Sequence, residues 1–183
     1  GLALTADGHI VAAGKGSIPT LYQGTTQGFN GLAVAQFTSA GALDTSYGTN
    51  GFHLVSLGSA EMDEIKGIAM QRDEKIVAVG SAQQLDLGNF DTVIARFNWT
   101  GTLDTTYGTN GFTRVNFDGF DQANGVAVIS SGKAVSAVNP GSNDLGIMQH
   151  LGDPARRGTV EQADTTVALA DQDRDGIVEI EKH

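Results

Sequence analysis

Two nearly identical ten-residue segments lie 60 positions apart in this chain: LDTSYGTNGF begins at Leu43 and LDTTYGTNGF begins at Leu103. A catalytic motif seldom needs two copies within one domain, whereas a stacked architecture needs the same turn wherever the same structural unit recurs. The repeated decapeptide therefore indicates how the chain is built before it indicates any chemistry.

The repeat extends beyond the decapeptide. Three segments share a glycine, an alternating apolar strand, a tight polar turn and a second apolar strand, which predicts three β-hairpins. The segments are GLALTADGHIVAAG (1–14), GIAMQRDEKIVAVG (67–80) and GVAVISSGKAVSAV (125–138). We expect two-residue turns with positive φ angles, and the central pair is the weakest of the three for that geometry. The turn pairs are Asp7-Gly8, Asp73-Glu74 and Ser131-Gly132.

Two further strands complete a unit. The third strand precedes the decapeptide and the fourth follows it. These segments are 31–41 and 52–58 in the first unit, and 91–101 and 112–119 in the second. Four strands in about 60 residues is the size of one β-propeller blade. We therefore predict an all-β fold of antiparallel four-stranded blades that form a partial β-propeller. The predicted units are repeats at 1–60 and 61–120, a divergent partial repeat at 121–158, and a C-terminal hairpin at 159–183.

Composition excludes several classes of function. The 25 glycines and the short runs of Val, Ile, Thr and Phe favour a turn-rich all-β protein. A formal net charge of −10 argues against a nucleic-acid partner. The absence of cysteine excludes disulfides, thiolate metal sites and a cysteine nucleophile. No run of roughly 18 apolar residues occurs, so we expect no membrane insertion.

The combination ALTADGHIVAAG, LAVAQF and LDTSYGTNGF resembles the bacterial delta-60 repeat over residues 1 to about 138. That resemblance implies propeller blades in large bacterial proteins that are secreted or exposed on the cell surface. It implies no reaction and no catalytic residues. The chain carries no export signal of its own, and we interpret it as a processed product or a piece of a longer protein.

Each residue of the decapeptide has a structural role in this interpretation. The leucine and the phenylalanine at its two ends are expected to be buried in equivalent places, and the aspartate is expected to accept backbone N–H groups two residues on. The buried residues would be Leu43, Phe52, Leu103 and Phe112, and the aspartates would be Asp44 and Asp104. The alternative is that the repeated Asp and Tyr residues form a ligand-binding rim.

The C-terminal tail TTVALADQDRDGIVEIEKH contains alternating acidic residues between two apolar strands. Hard cations take six to eight oxygen ligands, which predicts a Ca²⁺ site. It is not an EF-hand, because the twelfth loop position is lysine and a strand pattern follows. The spacing resembles the calcium loop of FG-GAP or integrin-type propeller blades. That resemblance implies Asp171, Asp173, Asp175 and Glu179 as side-chain ligands, with the Ile177 carbonyl as a further ligand. The alternative is a solvated acidic turn.

No catalytic constellation is recognisable. The segments GNFDT and FDGFDQ place Asp beside aromatic residues, which is compatible with a carbohydrate site and also with turn and core roles. Trp99 is expected to cover a blade edge. The segments 15–30 and 81–91 differ in length between the units, which predicts exposed loops and places for partner binding.

Two function hypotheses follow. The first is a non-catalytic repeat module of a bacterial exported protein, stabilised by calcium, that serves adhesion or assembly with a protein or glycan partner. The second is the propeller portion of a carbohydrate-active enzyme, which needs two facing carboxylates roughly 5–10 Å apart. Because three blades leave strand edges unpaired, further blades or self-association are expected in either case.

Overall fold

The computed structural model describes residues 1–22, 25–57, 63–83, 89–117, 119–140, 145–150, 165–170 and 177–182. Over this part of the chain the secondary structure consists of strands and turns. No helix with the length and apolarity of a membrane span occurs among these residues. The predicted all-β class is confirmed.

The first two repeats each form a four-stranded antiparallel sheet. The first sheet contains β1 (Leu2–Leu4), β2 (Ile10–Tyr22), β3 (Thr25–Phe37) and β4 (Phe52–Val55). The second sheet contains β5 (Glu64–Met70), β6 (Ile76–Gln83), β7 (Phe90–Phe97) and β8 (Phe112–Val115). In both sheets, each strand pairs with its neighbours in chain order. The predicted antiparallel four-stranded blades of a partial β-propeller are confirmed.

The third sheet has five strands. They are β9 (Asp121–Val128), β10 (Ala134–Pro140), β11 (Leu145–His150), β12 (Thr165–Ala170) and β13 (Ile177–Lys182). The divergent partial repeat predicted at 121–158 therefore contains a third strand, β11. The C-terminal hairpin of β12 and β13 pairs with β11, so it continues the sheet of the third unit.

The first hairpin turn differs from the predicted two-residue turn. Gly8 donates its N–H to the Thr5 carbonyl at 3.1 Å, and Thr5 donates to the His9 carbonyl at 3.0 Å. Three residues therefore separate the last paired positions, and only the third of them has a positive φ. That residue is Gly8 at 87°, Glu74 at 64° and Gly132 at 85° in the three units. The prediction of a two-residue turn was wrong, because pairing stops one residue earlier on the first strand.

The predicted exposed loops are also corrected. The segment 15–30 belongs largely to β2 and β3, which pair along their whole length from Ile10↔Phe37 to Tyr22↔Thr25. In the second unit, β6 and β7 also pair along their whole length, and Ser81 and Asp91 are buried. Threonine, tyrosine and isoleucine favour strand over loop in such segments. Residues 84–88 lie outside the described part of the chain.

Two apolar clusters join the three sheets. β5 contacts β2 and β3, and β9 contacts β6 and β7, so each sheet packs its face on the next. The first cluster contains Val11, Leu32, Val34 and Tyr47 of the first unit with Ile68, Ile76, Ala78 and Phe97 of the second. The second cluster contains Val79, Ile94 and Tyr107 of the second unit with Ala134, Val138 and Met148 of the third. The core therefore lies between successive sheets, as in stacked propeller blades.

Candidate functional site

The two decapeptides adopt the same backbone conformation. Asn50 and Gly51 have φ angles of 55° and 98°, and Asn110 and Gly111 have 56° and 98°. Asparagine tolerates the left-handed region better than most residues, and glycine adopts it without steric penalty. The repeat in sequence is therefore a repeat in structure.

The aspartates of the decapeptides form the predicted turns. The Ser46 N–H donates to Asp44 Oδ1 at 3.0 Å, and the Thr106 N–H donates to Asp104 Oδ1 at 3.1 Å. Hydrogen bonds from the Ser46 hydroxyl and N–H also lower the pKa of Asp44 below its usual value. The structural interpretation of these aspartates is confirmed.

The tyrosines of the decapeptides pack against the next unit. Tyr47 is 3% exposed and Tyr107 is 7% exposed, so neither presents its ring to a ligand. A β-carbon placed on Gly101 would lie 2.6 Å from the Tyr47 ring, which shows how closely that ring covers the glycine. The Gly48 N–H also donates to the Thr100 carbonyl at 2.9 Å. The alternative of a ligand-binding rim is therefore wrong for the tyrosines.

Burial of these rings leads to a prediction for alkaline pH. Burial raises the pKa of both Tyr47 and Tyr107 to about 12, although the Arg96 charge acts in the opposite direction on Tyr107. Between pH 10 and 12 the unfolded tyrosines lose their protons and the folded ones keep them. The free energy of unfolding should then fall with rising pH by about 1.4 kcal/mol per pH unit for each tyrosine.

Urea unfolding at pH 10 and pH 11 measures this loss, and Tyr47→Phe should remove one tyrosine's share of it. At pH 7 the same variant should be as stable as the parent chain or more stable, because the Tyr47 hydroxyl has no hydrogen-bond partner among the described residues. An unchanged pH dependence in Tyr47→Phe would contradict the prediction.

The prediction of equivalent burial at the ends of the decapeptides is wrong for the first unit. Leu43 and Phe52 are 42% and 41% exposed, whereas Leu103 and Phe112 are partly buried against the first cluster. The exposure differs because the two sheets have different neighbours. The first sheet covers this face of the second sheet, and no described residue covers the same face of the first.

We call this region of the first sheet the uncovered face. It also includes Leu2 and Leu4, which are 73% and 68% exposed. Alignment of the hairpins places Leu2 and Leu4 at the positions of Ile68 and Met70. The uncovered face consists of Leu2, Leu4, Leu43 and Phe52. Four exposed large apolar side chains on one sheet face form a candidate interaction surface.

A buried ion pair in the second unit was not predicted from the sequence. Arg96 is fully buried, and its Nε donates to Asp104 Oδ2 at 2.8 Å. Its guanidinium also lies 4.9 Å from the centre of the Tyr107 ring, and Lys75 Nζ lies 3.2 Å from Asp104 Oδ2. Burial alone would raise the pKa of Asp104, but the Thr106 hydroxyl and the Arg96 charge outweigh it and lower that pKa. The only signal in the sequence is an arginine inside an apolar strand.

The structure brings together the two aromatic motifs. Phe90 of GNFDT and Phe120 of FDGFDQ form an isolated parallel bridge, and their ring centres lie 5.8 Å apart. Both rings line a cavity of about 270 Å³ where the first strands of the second and third units begin. Trp99, by contrast, is 67% exposed in a turn, so the expectation that it covers a blade edge was wrong.

The predicted calcium ligands lie in a part of the chain whose side chains the structure does not describe. Asp171, Asp173 and Asp175 lie outside the described residues. Ile177 and Glu179 belong to β13, but their side chains are not described. In the described part of the chain, no group of three or more His, Cys, Asp or Glu side chains could hold a metal ion. The calcium site stays a prediction from the sequence.

Comparison with known families agrees with the fold. A family model described as "Domain of unknown function (DUF5122) beta-propeller" matches residues 5–47 and 71–107. Both matched segments run from the hairpin turn to the tyrosine of the decapeptide. No curated protein matches the chain. The first two units are thus similar to a β-propeller repeat family of unknown function.

Proposed function

We propose that this chain is a non-catalytic β-propeller module whose uncovered face docks a further blade of the same type. It would act in a bacterial secreted or surface-exposed protein, in adhesion or assembly. The observation that carries this proposal is the exposure of Leu2, Leu4, Leu43 and Phe52 at positions that are covered in the second unit.

The contact between the first two sheets is the template for such docking. Ile68 is 8% exposed, and Met70, Leu103 and Phe112 pack against the first cluster. In repeat architectures, equivalent positions meet equivalent neighbours across each interface. The first sheet is therefore suited to receive the same kind of face that it presents to the second.

An open space above Gly41 indicates which kind of blade would fit on the uncovered face. Gly41 and Gly101 have φ angles of 83° and 85°, so the two turns have the same shape. The ring of Tyr47 covers Gly101, whereas a β-carbon on Gly41 would meet no atom of the described residues within 4 Å. A blade with a tyrosine at the position of Tyr47 would fill this space. The third unit lacks the decapeptide, so a second copy of this chain offers no such tyrosine from its third sheet.

A fusion protein tests the docking. A second copy of residues 61–124 is joined directly ahead of Gly1, because Gly1 occupies the position of Gly125 in the repeat. We expect the added blade to raise the free energy of unfolding by roughly 1.5–3 kcal/mol for each large apolar side chain that it covers fully. Urea unfolding monitored by circular dichroism, with the unfused chain as reference, measures the gain.

Two variants control this experiment. Most of the gain should be lost when Tyr107→Ala is placed in the added copy. The same loss is expected from Leu43→Asp in the original first unit. A fusion no more stable than the chain alone would refute the docking. If analytical ultracentrifugation shows a dimer of the unfused chain that is dissociated by Leu43→Asp, a second copy occupies the face and the proposal of a further blade is wrong.

The carbohydrate-active enzyme is less well supported. Among the described residues, two carboxylates line the cavity, and both are engaged in other contacts. Glu64 Oε2 lies 3.3 Å from Lys66 Nζ, and Asp121 is fully buried and accepts the Phe117 N–H at 2.5 Å. A general acid and base for glycoside hydrolysis need two carboxyl groups that face each other across the substrate.

We also propose that Ca²⁺ stabilises the C-terminal tail through Asp171, Asp173, Asp175, Glu179 and the Ile177 carbonyl. Mutual repulsion of the carboxylates in the empty loop would be relieved on binding, and a bound ion stabilises the folded chain by mass action. At a calcium concentration about 100-fold above Kd, the gain should be about 2.7 kcal/mol.

Thermal unfolding with calcium, magnesium and a chelator tests the metal site. Calcium should raise the melting temperature more than magnesium does, because the smaller ion demands octahedral geometry. Asp173→Ala should lose the effect, and Asp164→Ala, which removes a carboxylate directly ahead of the tail, should keep it. A melting temperature that is unaffected by millimolar calcium would reduce the segment to an acidic turn.

A further inference from the structure

The cavity beside Phe90 and Phe120 has an aromatic wall that is open to solvent. Phe120 is 63% exposed, and its ring is tilted by 34° against that of Phe90. The aliphatic C–H groups of a pyranose ring pack well on such a surface, because the face of an aromatic ring carries partial negative charge. The volume of about 270 Å³ lies just below the roughly 300–1,000 Å³ typical of drug-sized ligands, so it suits a single sugar ring.

The cavity is also lined by two lysines and two carboxylates, which are Lys15, Lys66, Glu64 and Asp121. Lys66 is the extra residue of a β-bulge between Ile65 and Gly67, and it pairs with Glu64 at 3.3 Å. A bulge commonly re-aims a side chain at the edge of a site. Lys15, at the same cavity, is exposed and forms no salt bridge with any residue that the structure describes. Asp121 is fully buried and accepts the Phe117 N–H, so Lys15 is the exposed charge of this lining that can meet an anionic group.

Hydrogen-bonding side chains complete the cavity. Ser81 and Gln122 line it together with the aromatic and charged residues. Ser81 is buried on β6 and Gln122 lies on β9, so sheet strands hold both groups in place. Hydroxyl and amide groups of this kind recognise the hydroxyl groups of a sugar.

From these features we propose that the cavity binds one hexuronate unit of an acidic polysaccharide. The sugar ring lies on Phe120, its carboxylate pairs with Lys15, and its hydroxyl groups meet Ser81 and Gln122. This binding site goes beyond the proposed docking function, since it involves a different surface and a different class of ligand. The two can therefore fail independently.

Titration of the full chain with D-glucuronate, followed by ¹H–¹⁵N NMR, tests the proposal. We expect saturable shifts at Phe90, Phe120 and Gln122 with a Kd on the order of 1 mM. D-Glucose, which lacks the carboxylate, should bind about 10-fold more weakly, because it cannot make the charge-assisted hydrogen bond. Lys15→Gln should bring glucuronate to the affinity of glucose, and Phe120→Ala should abolish binding of both sugars.

Trp99→Ala is the matched control, because Trp99 is an exposed aromatic residue in the turn after β7 and is not among the residues that line the cavity. It should bind both sugars as the parent chain does. Absence of saturable shifts at about tenfold the expected Kd would overturn the site. Binding that survives Phe120→Ala would overturn the stacking role, and equal affinity for glucose and glucuronate would overturn the assignment to acidic sugars.

Discussion

Replacing Asp104 with alanine should destabilise the chain by roughly 3–5 kcal/mol, the cost of leaving a buried charge without its partner. Arg96 is fully buried, and its Nε lies 2.8 Å from Asp104. The alanine variant would leave this guanidinium in the protein interior with Thr106 and the Tyr107 ring as its remaining contacts. Urea unfolding at neutral pH measures the loss.

Asp44→Ala is the matched control within the same molecule. Asp44 forms the same turn, but Gln36 stands at the position of Arg96, so no buried cation depends on it. Its loss should be clearly smaller. The double variant Arg96→Gln with Asp104→Ala should recover much of the stability, since it removes the charge together with its partner. Equal losses in Asp44→Ala and Asp104→Ala would contradict a central role for the ion pair.

Gly80→Ala should disrupt the second sheet. A β-carbon at Gly80 would lie 1.9 Å from the Glu64 carbonyl oxygen and 3.1 Å from the Ile65 Cα, and both are backbone atoms. The bulge in β5 brings this backbone close to β6, and pairing would have to shift to make room. We expect a loss of about 3 kcal/mol, at the upper end for overpacking.

Gly14→Ala provides the comparison, because Gly14 occupies the same position of the first hairpin. In the part of the chain that the structure describes, no atom would lie within 4 Å of its β-carbon. That variant should be neutral or slightly stabilising, since alanine reduces the conformational entropy of the unfolded chain. Thermal unfolding of both variants checks the prediction, and a stable Gly80→Ala chain would show that the close approach at β5 is not rigid.

Local patterns were enough to predict most of the fold. The alternating apolar residues, the repeated glycines and the LDT-x-YGTNGF turn each act within a few residues, so their structures follow from the sequence nearby. The turn at Asp44 and the positive φ at Asn50 are examples. The repeat period was also sufficient to predict four-stranded sheets.

Features that depend on distant contacts were not predictable. Leu43 and Leu103 have nearly identical sequence surroundings, yet their exposure differs because a sheet covers only one of them. The meeting of Phe90 and Phe120 depends on how the second and third units stack. The burial of Arg96 likewise requires the partner Asp104, eight residues away across a turn. Sequence spacing alone shows none of these contacts.

Tyr47 of the first unit packs on Gly101 of the second unit, so the contact between units has a direction. The first unit offers Tyr47 on one side and an open space above Gly41 on the other, which makes the contact head-to-tail. Such contacts generate open filaments when the rotation between units does not close a ring. A third unit that carried the tyrosine turn would let copies of this chain add to one another through this contact. The third unit lacks that turn, so copies of this chain cannot extend one another through the tyrosine contact. Divergence of the third unit thereby removes one side of the head-to-tail contact, while Gly41 of the first unit keeps the other side.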